Sequence, residues 1–227
     1  MPRRDGHRDG DRDAPSPELF DLYDADGRPL GVAKPRDEAH RDGDWHRTAH
    51  VWIYTAAGAL VFQRRAPDKD TWPGRLDASV GGHYRAGEDP EDGVRREVRE
   101  ELGFTPDPAH LTLVARRRVE SLEPGIADRE LQDILLLRRD LPLTAYRPDP
   151  VELAALALLD ARDAARLHVG ELQRIEAQWL PIGAARPHAH EVTAADLIPD
   201  RGPYLAVVAH AVAEALAGRT APVSWVE

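Results

Sequence analysis

The stretch from Gly82 to Phe104, GHYRAGEDPEDGVRREVREELGF, constrains this chain more than any other part of the sequence. It places Glu97, Glu100 and Glu101 at i, i+3 and i+4, so a helix would carry all three carboxylates on one face. Like charges at this spacing destabilise a helix, and a cation is therefore expected among them. A divalent ion with oxygen ligands, best Mg²⁺, accounts for the pattern better than the neighbouring arginines do. The alternative is an acidic helix face exposed to water, as charge runs usually are.

Signals at both ends of the stretch predict where this helix begins and ends. Asp89 suits the N-cap, Pro90 suits the first helical position, and Gly103 is typical of the residue that follows the last turn. Between these signals, apolar residues recur at four-residue steps: Val94, Val98 and Leu102. We therefore expect an amphipathic helix that packs one apolar stripe on a sheet.

The composition excludes several classes of protein. The 227 residues include no cysteine, which excludes disulfides, thiolate catalysis and cysteine-based zinc sites. A formal net charge of −10 argues against a nucleic-acid-binding surface. No apolar run approaches the roughly 18 residues of a membrane span, and the first residues carry no hydrophobic signal segment. We expect a cytoplasmic protein that binds neither nucleic acid nor membrane.

The chain divides into three predicted parts. Residues 1–17 are charged and rich in Gly, Pro and Asp, so a disordered tail is expected. Residues 18–168 are predicted to form the domain, in which β-rich runs surround the central helix. Within it, 151–160 (VELAALALLD) is a strand candidate that could equally be helical, and 161–168 is predicted to be a short helix.

Residues 169–227 are predicted to form an extension that packs on the core. A helix is expected around Glu171 to Glu176, followed by a Pro/His-rich loop in which His188 and His190 are ordinary loop residues. Apolar residues at helical spacing predict an amphipathic helix from Tyr204 to Ala217.

The spacing of the central stretch resembles, without mismatch, the signature of the Nudix hydrolase superfamily. The matching residues are Gly82, Glu88, Arg96, Glu97, Val98, Glu100, Glu101, Gly103 and Phe104. The resemblance implies an α/β fold, a Nudix-type α/β/α sandwich with a mixed sheet, here followed by a C-terminal helical extension. It also implies hydrolysis of a nucleoside diphosphate linked to another group, or of a related small phosphorylated metabolite, by metal-activated water.

The resemblance also assigns roles to residues of the stretch. Glu97, Glu100 and Glu101 would bind Mg²⁺, with Mn²⁺ as an alternative, together with the main-chain carbonyl of Gly81 or Gly82. Arg96 would orient the glutamates.

Two further roles concern the loop and the proton transfer. Glu88 would brace the loop before the helix. The general base would be a helix glutamate or a later acid, for which Glu152 is the candidate.

The segment from Leu19 to Phe104 also resembles the isopentenyl-diphosphate isomerase branch of the superfamily. By that resemblance Arg65 and Lys69 match diphosphate-binding positions, and His83 is a further substrate-facing candidate. Three histidines match a second metal site, with Asp128 or Glu130 as later ligands: His40, His46 and His83. An ordinary structural role, as surface or strand histidines, stands beside the metal role for His40 and His46, and also for His50.

The isomerases need a cysteine at the position that Gly81 occupies here. This difference, together with the intact glutamate pattern, favours hydrolysis within an isomerase-like framework. Two alternatives stay open, an isomerase of isoprenoid diphosphates and a nucleotide-binding sensor without turnover. The expected partner is a small-molecule diphosphate, and a homodimer is retained as an alternative to a monomer.

Overall fold

The computed structural model describes residues 17–69, 71–123, 126–199, 202–219 and 223–226. The prediction of a disordered tail falls outside the described residues except at Pro17. Helices in the described ranges are α1 (Arg36–Asp42), α2 (Pro90–Leu102), α3 (Ala161–His168) and α4 (Tyr204–Leu216). The strands are β1 (Leu19–Tyr23), β2 (Pro29–Pro35), β3 (Trp45–Tyr54), β4 (Ala59–Arg65), β5 (Leu76–Asp77), β6 (Val80–His83), β7 (Leu111–Glu123), β8 (Ile126–Arg138), β9 (Leu153–Asp160), β10 (Arg174–Pro181), β11 (His188–Thr193) and β12 (Ser224–Val226).

The strands form one mixed sheet in the order β11-β10-β9-β4-β3-β8-β7-β12. β3 lies at its centre and pairs in parallel with β8 over the whole length from Trp45 to Tyr54. β1 and β6 also pair with β3, antiparallel. The second parallel pair in the described chain joins β12 to β7, and the expected mixed sheet is confirmed.

Helices cover both faces of the sheet because side chains alternate along its strands. On β3, Val51 and Ile53 pack in a cluster with α2, whereas Trp52 packs in a second cluster on the opposite face with α3 and α4. The predicted α/β/α sandwich is therefore confirmed.

The central helix begins and ends where the sequence predicts. Asp89 Oδ1 accepts a hydrogen bond from the Glu91 N–H at 2.9 Å, and Gly103 has a φ of 74° after the last turn. The apolar stripe is fully buried: Val94, Val98 and Leu102. This packing fixes the adjoining, glutamate-bearing face of α2 relative to the sheet.

Predictions for the C-terminal part were only partly right. The helix expected around Glu171 to Glu176 is wrong, because Arg174–Pro181 is strand β10, hydrogen-bonded to β9 and β11. The expected loop contributes strand β11, which includes His188 and His190. Residues 153–160 form a strand rather than a helix, and the helix from Tyr204 is confirmed.

A short helix was missed in a polar stretch. α1 spans Arg36–Asp42 and buries only Ala39, so apolar periodicity gave no signal for it. Its position matters because it carries His40 to the centre of the sheet. No helix in the described ranges is long and apolar enough to cross a membrane.

Candidate active site

A cleft of about 1630 Å³ opens beside the central strand. It is lined from several directions by α1, β3, β6, α2, the loop before β9, and α4. The predicted glutamates and two of the three predicted histidines, His40 and His83, line this cleft, as do Arg65 and Lys69.

Glu101 is the most enclosed acid of the helix. Its side chain is 7% exposed, and its Oε2 atom has no hydrogen-bond partner among the described residues. Burial raises the pKa of Glu101 well above its usual value, and the charges of Glu97, Asp77 and Glu152 raise it further. An unpaired buried carboxylate is costly unless a cation accompanies it.

Glu97 packs directly against the glycine turn. A Cβ atom added at Gly82 would lie 2.1 Å from Cδ and 2.4 Å from Oε2 of Glu97. Only glycine therefore lets this carboxylate reach the main chain of β6. Burial raises the pKa of Glu97, while the adjacent Arg96 acts in the opposite direction.

Arg96 connects the helix to the loop that precedes it. Its Nε and Nη2 atoms donate to the two oxygens of Glu88, both at 2.8 Å, and Nη1 donates to Glu97 Oε1 at 2.6 Å. Nη2 also donates to the His83 carbonyl at 2.9 Å. Burial acts to lower the pKa of Arg96, but Glu88 and Glu97 outweigh it and raise the pKa. The guanidinium thus holds Glu97 in a fixed rotamer.

Glu88 is braced from both sides. Besides its paired bonds to Arg96, its Oε2 accepts the Arg85 N–H at 2.9 Å. The hydrogen bonds from Arg96 lower the pKa of Glu88. The carboxylate therefore stays ionised and ties the glycine turn to α2.

Glu100 and Glu152 lie at the rim of the cleft. The Glu100 side chain is 45% exposed, and its Oε2 lies 3.3 Å from Arg96 Nη1. The Glu152 side chain is 39% exposed and forms an ion pair with Lys69 Nζ. Both acids remain accessible to a substrate that enters from solvent.

Arg65 is held by the loop it faces. Its Nε donates to the Thr71 carbonyl and its Nη2 to Thr71 Oγ1, each at 2.9 Å, and its Nη1 lies 3.2 Å from Asp77 Oδ2. Arg65 therefore orders the loop between β4 and β5 as well as lining the cleft.

The three predicted histidines form one cluster. The ring centroids of His40, His46 and His83 lie 4.9 to 5.3 Å apart, and the Nε2 atom of each has no hydrogen-bond partner among the described residues. Asp128 Oδ1 lies 3.7 Å from His46 Nε2, and Glu130 Oε1 lies 3.7 Å from His83 Nε2. One ligand atom from each of the three histidines lies within 4.8 Å of the others.

Neighbouring groups orient these rings. His46 Nδ1 lies 2.9 Å from the Asp44 carbonyl, which favours a proton on Nδ1 and a lone pair on Nε2. The ring of buried Phe20 stacks on His83 at 4.6 Å and on His46 at 5.0 Å. Burial lowers the pKa of all three histidines, which keeps the imidazoles neutral and able to ligate. Burial raises the pKa of Glu130 to about 8.

The donor atoms fit two different ions. The glutamate set offers oxygen ligands and an orphaned carboxylate oxygen, which suits Mg²⁺. The histidine set offers three imidazole nitrogens with two nearby carboxylates, which suits a transition metal.

Several cleft residues were missed from the sequence. Tyr204 of α4 lies with its hydroxyl 2.8 Å from both Trp52 Nε1 and His50 Nδ1. Gln132 donates to Glu130 and lies 3.3 Å from His50 Nε2. The alternation of side chains along β3 indicates that His50 lies on the same face as His46. No local sequence pattern indicated that Tyr204 or Gln132 would line the cleft.

The family is settled by a match that covers most of the chain. The model of the NUDIX domain matches residues 44–200. The chain belongs to the Nudix family. Membership supports a hydrolase that acts on pyrophosphate bonds in general.

Curated relatives fall into two groups. Nudix hydrolase 3 of Arabidopsis thaliana is 36% identical over 144 residues, which cover 61% of this chain but 19% of that protein. An uncharacterised Nudix hydrolase of Clostridium acetobutylicum is 35% identical over 152 residues, 66% of this chain and 73% of the relative. An isopentenyl-diphosphate Δ-isomerase of Rhizobium rhizogenes is 31% identical over 176 residues, which cover 74% of this chain and 83% of the relative. The chain thus spans about a fifth of the Arabidopsis protein and most of the other two.

A solved structure supports the fold. The crystal structure of DR0079 from Deinococcus radiodurans matches with a TM-score of 0.50 and 26% identity, and the match covers 67% of this chain and 90% of that one.

Proposed function

We propose that this Nudix protein is a Mg²⁺-dependent hydrolase that cleaves the diphosphate linkage of a nucleoside diphosphate derivative or a related small phosphorylated metabolite. The observation that carries the proposal is the orphaned, buried Oε2 of Glu101, which lines the cleft together with Glu97 and the Gly82 turn. Bound there, the ion would neutralise charge on phosphate oxygens and lower the pKa of a water molecule.

Named residues of the chain would hold the ion and bind the diphosphate. Glu97 and Glu101 would hold the ion from the inner side with the carbonyl of Gly81 or Gly82, and Glu100 would complete the set from the rim. Arg96 keeps Glu97 in place through its bond to Oε1. Lys69 and Arg65 lie on the same cleft and would attract the diphosphate.

Glu152 is the proposed proton acceptor. It lines the cleft and is close enough to Glu101 for its charge to raise the Glu101 pKa. Its ion pair with Lys69 holds the carboxylate at the cleft, where it would accept a proton from the attacking water. A glutamate of α2 is the alternative base. Measuring kcat of Glu152→Gln distinguishes the two candidates. A decrease in kcat of well below about tenfold would contradict the assignment of Glu152 as the base.

A substrate panel tests the proposed reaction. Purified protein is offered nucleoside di- and triphosphates, nucleotide sugars and dinucleoside polyphosphates with Mg²⁺ or Mn²⁺, and product is measured with and without a chelator. We expect at least one diphosphate to be cleaved only with metal, and Glu100→Gln to lower the rate. A panel without metal-dependent product would contradict the proposal.

The histidine cluster favours a second candidate, an isomerase of isoprenoid diphosphates with a second metal on His40, His46 and His83. The chain has no cysteine, and Gly81 stands where that chemistry requires one. Incorporation of deuterium into isopentenyl diphosphate in deuterated water tests this candidate. We expect no incorporation, and allylic product would overturn that expectation.

A further inference from the structure

The cleft extends beyond both candidate metal sets into a region that neither uses. This inner pocket is walled by β3, β8, α3 and α4, and the residues that define it are Thr48, His50, Trp52, Gln132, His168 and Tyr204.

Polar atoms without partners mark the inner pocket as a binding surface. Buried polar groups in proteins are almost always hydrogen-bonded. Among the described residues that line the cleft, Glu101, Asp128, His40 and His83 carry orphaned atoms that metal ions would satisfy. Three such atoms remain that belong to no metal set: Thr48 Oγ1, Gln132 Oε1 and His168 Nδ1.

The amide of Gln132 defines what a ligand must supply. One amide hydrogen is engaged by Glu130 Oε2, and the nitrogen lies 3.3 Å from His50 Nε2. These contacts engage the nitrogen of the amide and leave its oxygen, Oε1, for a ligand. Because an amide oxygen can only accept a hydrogen bond, the ligand must supply the donor. Thr48 is the register partner of Gln132 on β3, which brings a second polar group beside the first.

Aromatic groups make the pocket rigid. Tyr204 Oη lies 2.8 Å from His50 Nδ1 and from Trp52 Nε1, and the Arg117 guanidinium lies over the Tyr204 ring at 4.5 Å from its centroid. A pocket with apolar walls and a few fixed polar atoms is the usual form of a specificity site.

We propose that the inner pocket binds the group attached to the diphosphate, and that this group carries N–H or O–H donors. A sugar ring or a nitrogen heterocycle has this chemistry, whereas the hydrocarbon chain of an isoprenoid has none. A hydrocarbon would leave Gln132 Oε1 and Thr48 Oγ1 unpaired, and sites built to hydrogen-bond a ligand reject analogues that lack the partner. This inference rests on the proposed function, because the metal sets must hold the diphosphate.

Direct binding of inert analogues tests the proposal without turnover. The probes are three methylene-bridged diphosphonates that carry a nucleoside, a hexose or a five-carbon alkyl chain, each titrated by calorimetry into the full chain with Mg²⁺. We expect the nucleoside or the hexose probe to bind about 100-fold more tightly than the alkyl probe. Comparing the affinities of the nucleoside and hexose probes shows which of these two groups the pocket prefers. Equal affinity for all three probes, as expected if water alone fills the pocket, overturns the proposal.

A matched pair of variants assigns the preference to the pocket. Thr48→Val keeps the shape of the side chain and removes the orphaned hydroxyl, while Thr112→Val makes the same change at an exposed position on β7. We expect Thr48→Val to reduce the preference for the polar probe about tenfold, in line with the loss of one hydrogen bond to a ligand, and its melting temperature not to fall. An unchanged preference, or equal effects of the two variants, overturns the assignment.

Turnover separates this proposal from the proposed function. If the polar probe is preferred but no diphosphate is hydrolysed, the proposed function fails and the pocket stands. If an alkyl diphosphate is hydrolysed as fast as the polar substrates, the function stands and the pocket assignment fails.

Discussion

At the scale of single residues, the site depends on how closely Glu97 approaches the turn at Gly82. Helical spacing predicted that Glu97 shares a face with the other glutamates, whereas the role of Gly82 followed from the resemblance to the Nudix signature. Their contact, the bracing of Glu88 by Arg96 and the burial of Glu101 required the structure. A linear sequence shows which residues share a helix face but not how deeply that face is enclosed.

Gly82→Ala tests this contact. A Cβ at 2.1 Å from Glu97 Cδ must displace the carboxylate, so we expect kcat/KM to fall by about 100-fold, as for a misplaced catalytic group. The comparison is Gly81→Ala, whose Cβ would meet its nearest neighbour, His50, at an ordinary 3.6 Å. Equal losses for the two variants would contradict the steric explanation.

Glu101→Gln tests the cost of the enclosed carboxylate. In metal-free protein we expect this variant to have a free energy of unfolding higher by about 1 kcal/mol or more, because it replaces a buried, unpaired acid with a neutral amide. Added Mg²⁺ should then raise the melting temperature of the original protein more than that of the variant. Thermal unfolding with and without metal measures both effects, and a variant less stable than the original without metal would count against the unpaired charge.

At the scale of elements, helices and strands were predicted correctly where the residues that determine them lie close together in the sequence. α2 was predicted correctly because its cap, its proline, its apolar stripe and its final glycine agree within one short segment. β10 was missed because its pairing with β9 and β11 decides its conformation, and that pairing is not local. α1 was missed because it buries one alanine.

Leu102→Ala tests how α2 is anchored. The side chain is fully buried, and the change should lower the free energy of unfolding by about 2–5 kcal/mol. Leu141→Ala makes the same change at a residue that is 40% exposed and should cost much less. Denaturant unfolding of the two variants measures the difference, and similar costs would show that the stripe does not anchor the helix.

At the scale of the whole molecule, the C-terminal part completes the sheet and the cleft. β10 extends the sheet beside β9, and α4 buries Leu205, Val208 and Val212 in the same cluster as Trp52. Tyr204 reaches His50 across 154 positions of sequence, a contact that no local pattern could predict.

A chain shortened to residues 1–170 tests this dependence. We propose that residues 18–168 and 169–227 unfold together, so the shortened chain should lack a cooperative thermal transition. Circular dichroism measures this directly. A shortened chain with a melting temperature near that of the full chain would show that residues 18–168 fold on their own.

The central claim is that the buried glutamates of α2 hold the ion that hydrolysis needs. The most direct measurement is kcat/KM with Mg²⁺, on the best substrate of the panel, for Glu101→Gln and for Glu91→Gln, an exposed glutamate in the first turn of the same helix. We expect Glu101→Gln to lose about 100-fold or more, since an inner ligand should matter at least as much as the outer partners of a metal site. Glu91→Gln should remain close to the original protein. Full activity of Glu101→Gln would contradict the claim.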